Sequence, residues 1–181
     1  VAAATADSTS TTGAAAPDTL KQVPSLPEVV VSTARADDRT PVAHTTLRRP
    51  QLQSLNWGQD TPMALTATPG TYAYSDAGNG IGYSYLSIRG FPQRRISVLI
   101  NGVPLNDPES QEVYWIDHPD LLASGRELQI QRGVGAALHG AASLGGSVNI
   151  ETAPFSDAPG ASVVAGYGSY DTRRLMLEMN S

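Results

Sequence analysis

Two groups of residues in this sequence have the types and spacing that chemistry would require. The first is a strand-like run followed by Gly-x-Gly at Leu128–Gly135, with Glu151 further along, which mimics the start of a dinucleotide-binding fingerprint. Leu138 replaces the third glycine, and the helix that must hold the pyrophosphate would be interrupted by glycines at 140, 145 and 146. We therefore expect no dinucleotide site.

The second group consists of three acids, Asp107, Glu109 and Glu112, which lie in one predicted loop. Carboxylate oxygens bind calcium, but this spacing does not match an EF-hand loop and is more typical of solvated acids. The chain has no cysteine and no Gly-x-Ser-x-Gly elbow, and its histidines are too scattered for a zinc motif, at positions 44, 118 and 139. We expect no enzymatic activity, no cofactor and no metal.

Composition narrows the class further. The 181 residues carry a formal net charge of -5, which excludes a strongly basic nucleic-acid-binding protein. This length allows one domain with a tail. The longest apolar runs, Val29–Val31 and Val98–Ile100, are far shorter than the roughly 18 residues of a membrane-spanning helix.

The N-terminal region predicts a tail followed by one isolated strand. Residues 1–27 are rich in Ala, Thr, Ser, Asp and Pro and have neither a helical nor a strand period. Such a segment cannot bury enough apolar surface to offset its ordering entropy, so we predict that it is flexible. Glu28–Ala34 favours a strand that needs a sheet edge to pair with.

From Pro41 onward, short predicted elements alternate with turn signals. A helix is predicted over Pro50–Leu55, with proline at its first position, and another over Thr61–Leu65, with Asp60 as N-cap. A third short helix is predicted at Leu121-Leu122.

The same region contains several predicted strands. One of them runs directly into Asn101-Gly102, a dipeptide typical of tight hairpin turns. The predicted strands are Tyr85–Arg89, Ile96–Ile100, Glu127–Arg132 and Ser147–Thr152.

The C-terminal segment has two longer runs of alternating character, Ala161–Tyr167 and Thr172–Asn180. In the second run, Leu175, Leu177 and Met179 share one face, while polar residues dominate the other. About ten residues of such alternation are typical of a transmembrane β-strand. Two such strands cannot close a barrel.

Five ordered motifs resemble the plug domain of the TonB-dependent outer-membrane transporters. They are Leu86–Phe91 (Leu-Ser-Ile-Arg-Gly-Phe), Ile100–Pro108, Gln131–Gly133, Gly140 and Gly145–Ile150. One Ile-Arg-Gly tripeptide would be weak evidence. Five motifs in the order and spacing of the family, within residues 40–153, are specific.

The resemblance implies an α+β fold, with a small mixed central sheet, short helices and long apical loops, followed by the first strands of a transmembrane β-barrel. The expected boundaries are 1–27 for the tail, 28–40 for a TonB-box-like segment and linker, 41–155 for the plug and 156–181 for the start of the barrel. The plug would lie inside the barrel in the outer membrane of a Gram-negative bacterium, with its N-terminus in the periplasm. The rest of the barrel would belong to the same precursor or to a separate chain.

One segment resembles the TonB box, through which this family contacts the periplasmic energy transducer TonB. It comprises Glu28, Val29, Val30, Val31, Ser32, Thr33 and Ala34. An added strand gains affinity from main-chain hydrogen bonds, which suits an extended segment after a flexible tail. The threonine that commonly follows the acid is missing here. The alternatives are that Val29–Val31 is the first strand of the plug, or that Asp18–Leu20 is the box.

Arg89 and Arg132 each end a predicted strand and precede a glycine. In the family, arginines of these two motifs pair with glutamates on the inner barrel wall, so the resemblance implies a latch between plug and barrel. A half-buried arginine without a partner is costly, which favours such pairing. The alternative is that each arginine binds loop carbonyls inside the plug.

Two predicted loops, Tyr72–Tyr83 and Asn106–Trp115, would face the substrate by the same resemblance. Their aromatic rings would stack on a ligand and their amides would hydrogen-bond to it. For Tyr114 and Trp115 the alternative is packing beneath the loop. The residues expected to face substrate are Tyr72, Tyr74, Asn79, Tyr83, Asn106, Gln111, Tyr114 and Trp115.

Together these features predict the plug of an active transporter that gates energised uptake of a scarce nutrient into the periplasm. Its partners would be TonB, the barrel portion, the outer membrane and a small substrate such as a metal chelate, cobalamin, an oligosaccharide or a peptide, and not nucleic acid. The alternative is a free periplasmic or secreted binding domain with the plug fold. The apolar face of the terminal strands argues against it, because a soluble domain gains little from exposing that face.

Overall fold

A computed structural model of the chain describes residues 35–36, 40–133, 143–154 and 159–180. The chain divides into two units, Val1–Val30 and Val31–Ser181, and every described residue belongs to the second. The predicted TonB-box-like segment and the Gly140 motif lie outside the described residues.

The fold is mixed α+β, with short elements throughout. In chain order the strands and helices are β1 (Ala43–Arg48), α1 (Arg49–Leu55), α2 (Thr61–Leu65), β2 (Thr71–Ser75), β3 (Ser84–Ile88), β4 (Phe91–Pro92), β5 (Ile96–Ile100), β6 (Val103–Pro104), β7 (Gly125–Arg132), β8 (Gly146–Thr152), β9 (Gly160–Tyr167) and β10 (Arg173–Asn180). Single turns of 3-10 helix lie at Gln93–Arg95, Trp115–Asp117, Leu121–Ala123 and Ser169–Asp171.

The central sheet has the strand order β1-β7-β8-β5-β6. The β5–β8 pairing is parallel and the other pairings are antiparallel. Because β7 is bonded to both β1 and β8, its eight residues lie in the interior of the sheet. Alternate side chains of β7 therefore reach two different environments.

One face of the central sheet is apolar and forms the core. Leu128 and Ile130 of β7 lie beside Val148 and Ile150 of β8, and all four are at most 1% exposed. The helices and β3 cover this face with residues of the same cluster, which include Leu52, Leu65, Leu86 and Ile88. Burial of each such side chain contributes about 1.5–3 kcal/mol.

The opposite face of the central sheet is polar and also buried. Gln129 and Gln131 of β7 and Ser147 and Asn149 of β8 are each less than 5% exposed. The Ser147 Oγ and Asn149 Oδ1 atoms have no hydrogen-bond partner among the described residues. Since an unpaired buried polar atom is costly, this face is a weak point of the fold.

Two smaller sheets complete the fold. Strands β2, β3 and β4 form one antiparallel sheet, and β9 and β10 form a separate antiparallel hairpin. Both α-helices are short, and in the described part of the chain no helix has the length and apolar character needed to span a membrane.

Most predicted elements are confirmed within a few residues. These are α1, α2, β3, β5, β7, β8 and the β9–β10 pair, together with a 3-10 turn at Leu121–Ala123. The tight turn at Asn101-Gly102 is also confirmed, because both residues have positive φ and Ile100 pairs with Val103.

Two predictions about local structure need correction, and one strand was missed. Tyr72–Tyr83 is not all loop, since Thr71–Ser75 pairs with β3 over its whole length. Strand β1 was not predicted, because its polar sequence becomes a strand only by pairing with β7. Asp60 does not cap α2 with its side chain, since its Oδ2 accepts a hydrogen bond from Ser84 Oγ at 2.6 Å instead.

Candidate functional site

Arg89 lies in a two-residue turn that joins β3 to β4. Ile88 pairs with Phe91, and both Arg89 and Gly90 have positive φ, of 51° and 81°. Glycine adopts this conformation freely, whereas a long side chain does so at a cost of about 1–2 kcal/mol. The Arg89 guanidinium is exposed and has no hydrogen-bond partner among the described residues. A strained position that presents a free cation is typical of a functional contact.

Arg132 lies beside Arg89 but is bound within the fold. Its Nη1 donates to Thr45 Oγ1 at 2.7 Å and to the Pro69 carbonyl at 3.2 Å, and its Nη2 donates to the His44 carbonyl at 3.3 Å. The alternative role foreseen for these arginines, binding of backbone carbonyls, is therefore observed for Arg132.

The two arginines meet around two glycines. A Cβ atom built at Gly133 would lie 3.1 Å from Arg89 Nη1, and one built at Gly70 would lie 3.7 Å from Arg132 Cδ and 3.8 Å from Arg89 Cγ. Neither arginine forms an ion pair with an acid in the described residues. This end of the central sheet thus carries positive charge that the described part of the fold does not neutralise.

Three tyrosines form a ladder on the outer face of β2 and β3. The rings of Tyr74 and Tyr85 stack with centroids 4.9 Å apart, and Tyr72 lies 6.2 Å from Tyr74. Tyr72 and Tyr74 are 63% and 50% exposed. The Asp76 carboxylate, which accepts the Tyr85 hydroxyl at 3.3 Å, raises the pKa of Tyr85. Exposed rings beside a carboxylate provide both a stacking surface and a hydrogen-bond acceptor.

The remaining predicted residues of the first loop are also exposed. Tyr83 is 58% exposed, and Asn79 uses its Oδ1 to accept the Ile81 backbone N–H at 3.0 Å. Sequence reasoning missed Tyr85, although it occupies the ring-bearing position directly opposite Tyr74 in the antiparallel register.

A cavity of about 990 Å³ lies between the first loop and the β9–β10 hairpin. Trp57 and Asn79 line one side, and Tyr167 and Thr172 line the other. A space of this size with a few polar groups suits a small ligand. Trp57 and Tyr167 were not foreseen, because nothing in the sequence brings positions so far apart together.

The second loop is held by its own polar groups. Asp107 Oδ1 accepts hydrogen bonds from the backbone N–H groups of Glu109 and Ser110 at 3.0 and 2.7 Å. These hydrogen bonds, above all those from Ser110, lower the pKa of Asp107. Asn106 bridges the loop to β5, since its Oδ1 accepts the Val98 N–H at 2.8 Å. Its Nδ2 donates to the Ile96 and Gln111 carbonyls.

The predicted substrate contacts of this loop need two corrections. Trp115 is 2% exposed and its Nε1 donates to Gln93 Oε1 at 3.2 Å, so it anchors the loop in the core. Asn106 is bound within the loop and does not present a free amide. Tyr114, at 46% exposed, and Gln111 remain accessible.

The charge of Glu112, in the second loop, contributes to the raised pKa of Tyr85. Tyr85 lies near the start of β3, and Arg89 follows the end of that strand. No cluster of three or more potential metal ligands occurs in the described part of the chain, and the Asp107 carboxylate accepts hydrogen bonds within its own turn.

Residues 35–36 are fastened to the polar face of the central sheet. The Ala36 N–H donates to Gln129 Oε1 and Gln129 Nε2 donates to the Ala36 carbonyl, both at 2.8 Å. Arg35 forms ion pairs with Glu127 and Glu151. We call this arrangement the Ala36 clasp. It follows directly after the predicted TonB-box-like segment, and its partners lie too far apart in sequence to be foreseen.

A family model described as the TonB-dependent receptor plug domain matches residues 36–147, which is more than half of the chain. None of the curated protein sequences compared with the chain matches it.

Solved structures share the fold. The ferric yersiniabactin uptake receptor FyuA from Yersinia pestis has a TM-score of 0.60 and 19% identity, over 76% of this chain and 21% of that one. FpvA of P. aeruginosa, bound to heterologous pyoverdines, has a TM-score of 0.61 and 20% identity, over 82% and 19%. The alcaligin outer membrane receptor FauA from Bordetella pertussis has a TM-score of 0.59 and 21% identity, over 82% and 25%. The chain spans 19–25% of the length of these receptors.

Replacement of Trp115 tests whether this residue anchors the loop. We expect Trp115→Ala to lower the free energy of unfolding by about 3–5 kcal/mol, because it opens a cavity in the core. Tyr114→Ala, the adjacent control, should change it by about 0.5 kcal/mol or less, since its ring is exposed. Urea unfolding followed by circular dichroism measures both. Equal, small effects would contradict a structural role for Trp115.

Replacement of Gln129 tests the Ala36 clasp. Gln129→Leu keeps the volume but removes both bonds to Ala36, so tryptic cleavage after Arg35 should accelerate on the order of tenfold. Cleavage after Arg126, inside β7, reports global unfolding and should accelerate less. Gln53→Leu, on the exposed side of α1, is the control. Unchanged cleavage after Arg35 would show that the clasp does not hold this segment.

Proposed function

Because the chain belongs to the TonB-dependent receptor plug-domain family, we propose that it is the plug of an outer-membrane active transporter that gates energised uptake of a scarce nutrient into the periplasm. The observation that carries this proposal is the β9–β10 hairpin beside a plug fold. Its apolar residues Leu175, Leu177 and Met179 are 78%, 61% and 73% exposed on one face. Such a face suits contact with lipid.

In this proposal, residues 41–155 are the plug and residues 156–181 begin the barrel wall. The wall would lie in the outer membrane of a Gram-negative bacterium, with the N-terminal segment in the periplasm. The solved relatives support this location, since the names of two of them describe an outer membrane receptor and an uptake receptor. A free binding domain would have to keep the apolar strand face in water, which disfavours that alternative.

TonB contact is assigned to Glu28–Ala34. The Ala36 clasp supports this assignment, because a pull on residues 28–34 would pass through Ala36 to Gln129 in β7, an interior strand of the central sheet. The force would then act where buried polar atoms already lack partners. TonB-driven remodelling of the plug would therefore begin on the polar face of this sheet.

Substrate would bind at the exposed face of β2 and β3 and at the two predicted loops. The residues proposed to contact it are Tyr85 and the exposed Tyr72, Tyr74, Asn79, Tyr83, Gln111 and Tyr114, and the adjacent cavity provides space. A metal chelate is favoured among small nutrients, because the solved relatives include receptors named for ferric yersiniabactin, pyoverdines and alcaligin. The barrel would supply the rest of the site.

Arg89 is the stronger candidate for the barrel latch. Its guanidinium is exposed and unbound within the described fold, whereas Arg132 is bound to three backbone or hydroxyl oxygens. Carboxylates of the barrel wall would pair with these two cations.

Deletion of residues 28–34 from the complete transporter should abolish binding of the purified periplasmic domain of TonB, because the strand that adds to the TonB sheet is gone. Deletion of residues 8–14, an equal length of the tail, is the control and should leave binding unchanged. Substrate binding should survive both deletions. If it is lost with residues 28–34, these residues form a structural strand instead.

Replacement of the two arginines should separate docking from stability. Arg132→Ala should lower the free energy of unfolding of the chain by about 2 kcal/mol, since three hydrogen bonds from a charged group are lost. Arg89→Ala should leave it within about 0.5 kcal/mol. In the complete transporter, however, Arg89→Ala should increase entry of a large hydrophilic antibiotic through the outer membrane. A loss of chain stability equal to that of Arg132→Ala would contradict the latch.

A further inference from the structure

We propose that helix α1 and the turn after it form a polarity-coded docking surface for the first hairpin of the barrel wall. This inference rests on the proposed function, because it takes the β9–β10 hairpin as wall. It assigns to Arg49, Asp120, Arg174 and Glu178 a role that differs from the latch at Arg89.

The first contact lies at the start of α1. Arg49 Nη2 donates to Glu178 Oε1 at 3.1 Å and to Glu178 Oε2 at 3.4 Å. Both side chains are only partly exposed, at 32% and 41%. Here the plug contributes the cation and the hairpin contributes the anion.

The second contact lies beyond the other end of α1. Arg174 Nη2 donates to both oxygens of Asp120 at 2.8 Å, and its Nη1 donates to the Asn56 carbonyl at 2.9 Å. Asn56 Nδ2 also donates to Asp120 Oδ1 at 2.8 Å, so a residue of the plug itself holds this carboxylate in place. The Arg174 side chain is 16% exposed. Here the plug contributes the anion and the hairpin contributes the cation.

Gly58 lets the hairpin approach at this second contact. A Cβ atom built there would lie 3.2 Å from Arg174 Cδ, and the φ of Gly58 is 104°. Any larger residue would meet both backbone strain and the arginine stem. The backbone after α1 is thus shaped to receive Arg174.

The spacing of the two contacts matches the two elements. Arg174 and Glu178 are four residues apart on β10, so they share one face and lie about 14 Å apart. Arg49 and Asn56 are separated by α1, which rises about 10 Å between them. Arginine side chains are long enough to span the difference. Helix and strand therefore run in opposite directions and are joined at both ends.

The two ion pairs have their charges in opposite order, and this order specifies the direction in which the hairpin lies along α1. If the hairpin were reversed along α1, Arg174 would face Arg49 and Glu178 would face Asp120. Both contacts would then join like charges. The charges therefore disfavour the reversed arrangement and favour the observed one. The apolar side chains at 175, 177 and 179 would still point away from the plug, so they do not distinguish the two directions.

Exchange of charges between partners in the complete transporter tests this docking code, which is the opposite order of charges in the two ion pairs. Asp120→Arg and Arg174→Asp should each raise the rate at which external protease cleaves the plug by about tenfold, because one contact becomes repulsive. The double variant that carries both changes should return close to the wild-type rate. Arg49→Glu with Glu178→Arg should behave in the same way.

Arg173→Asp is the matched control. Arg173 pairs with Asp171 on the same hairpin, both side chains are mostly exposed, and among the described residues Arg173 has no side-chain hydrogen bond or ion pair with the plug, so its reversal should leave cleavage unchanged. Single changes without effect, or double variants that stay as sensitive as the single ones, would overturn the docking code.

A separate readout distinguishes failure of the proposed function. If the protein forms a wall in the outer membrane, it should show the heat-dependent electrophoretic mobility of a folded barrel in every variant. Loss of that mobility shift in the wild-type protein would refute the wall itself, whereas its presence without the exchange effect would refute only the code.

Discussion

The fold depends on β7, whose side chains alternate between two buried environments. Leu128 and Ile130 enter the apolar core, while Gln129 and Gln131 lie in the polar layer on the other face. A slip of one residue in the register of β7 would place glutamines in the core and leucine in the polar layer, so the register is strongly fixed. The end of the strand then places Arg132 beside Arg89, and its middle holds Ala36.

Local signals in the sequence were sufficient for elements with a clear period or a clear turn. The alternation around Leu128 and the Asn101-Gly102 dipeptide each determine their structure within a few neighbouring residues. Strand β1 could not be foreseen, because its polar sequence pairs with β7 about eighty to ninety positions away. The same limit applies to the site, since burial of Trp115 and exposure of Tyr114 differ only through tertiary packing.

The resemblance correctly indicated the family, but it did not indicate that Arg89 and Arg132 differ in their contacts within the fold. Arg132 is bound to oxygens of β1 and of the turn before β2, and Arg89 is left free by a strained turn. That difference arises from partners that are distant in sequence, so the sequence alone did not predict it.

The buried polar face of the central sheet bears on whether the fold can open repeatedly without aggregating. An apolar layer that is peeled apart exposes surface that water rejects, and such surface aggregates or binds the wrong partner. A layer of amides and hydroxyls can instead exchange each internal hydrogen bond for one to water, at a net cost of about 0.5–1.5 kcal/mol. In the proposed transport cycle, Gln129, Ser147 and Asn149 would form a layer that water can enter and leave, so each opening would be reversible and the same molecule could complete many cycles.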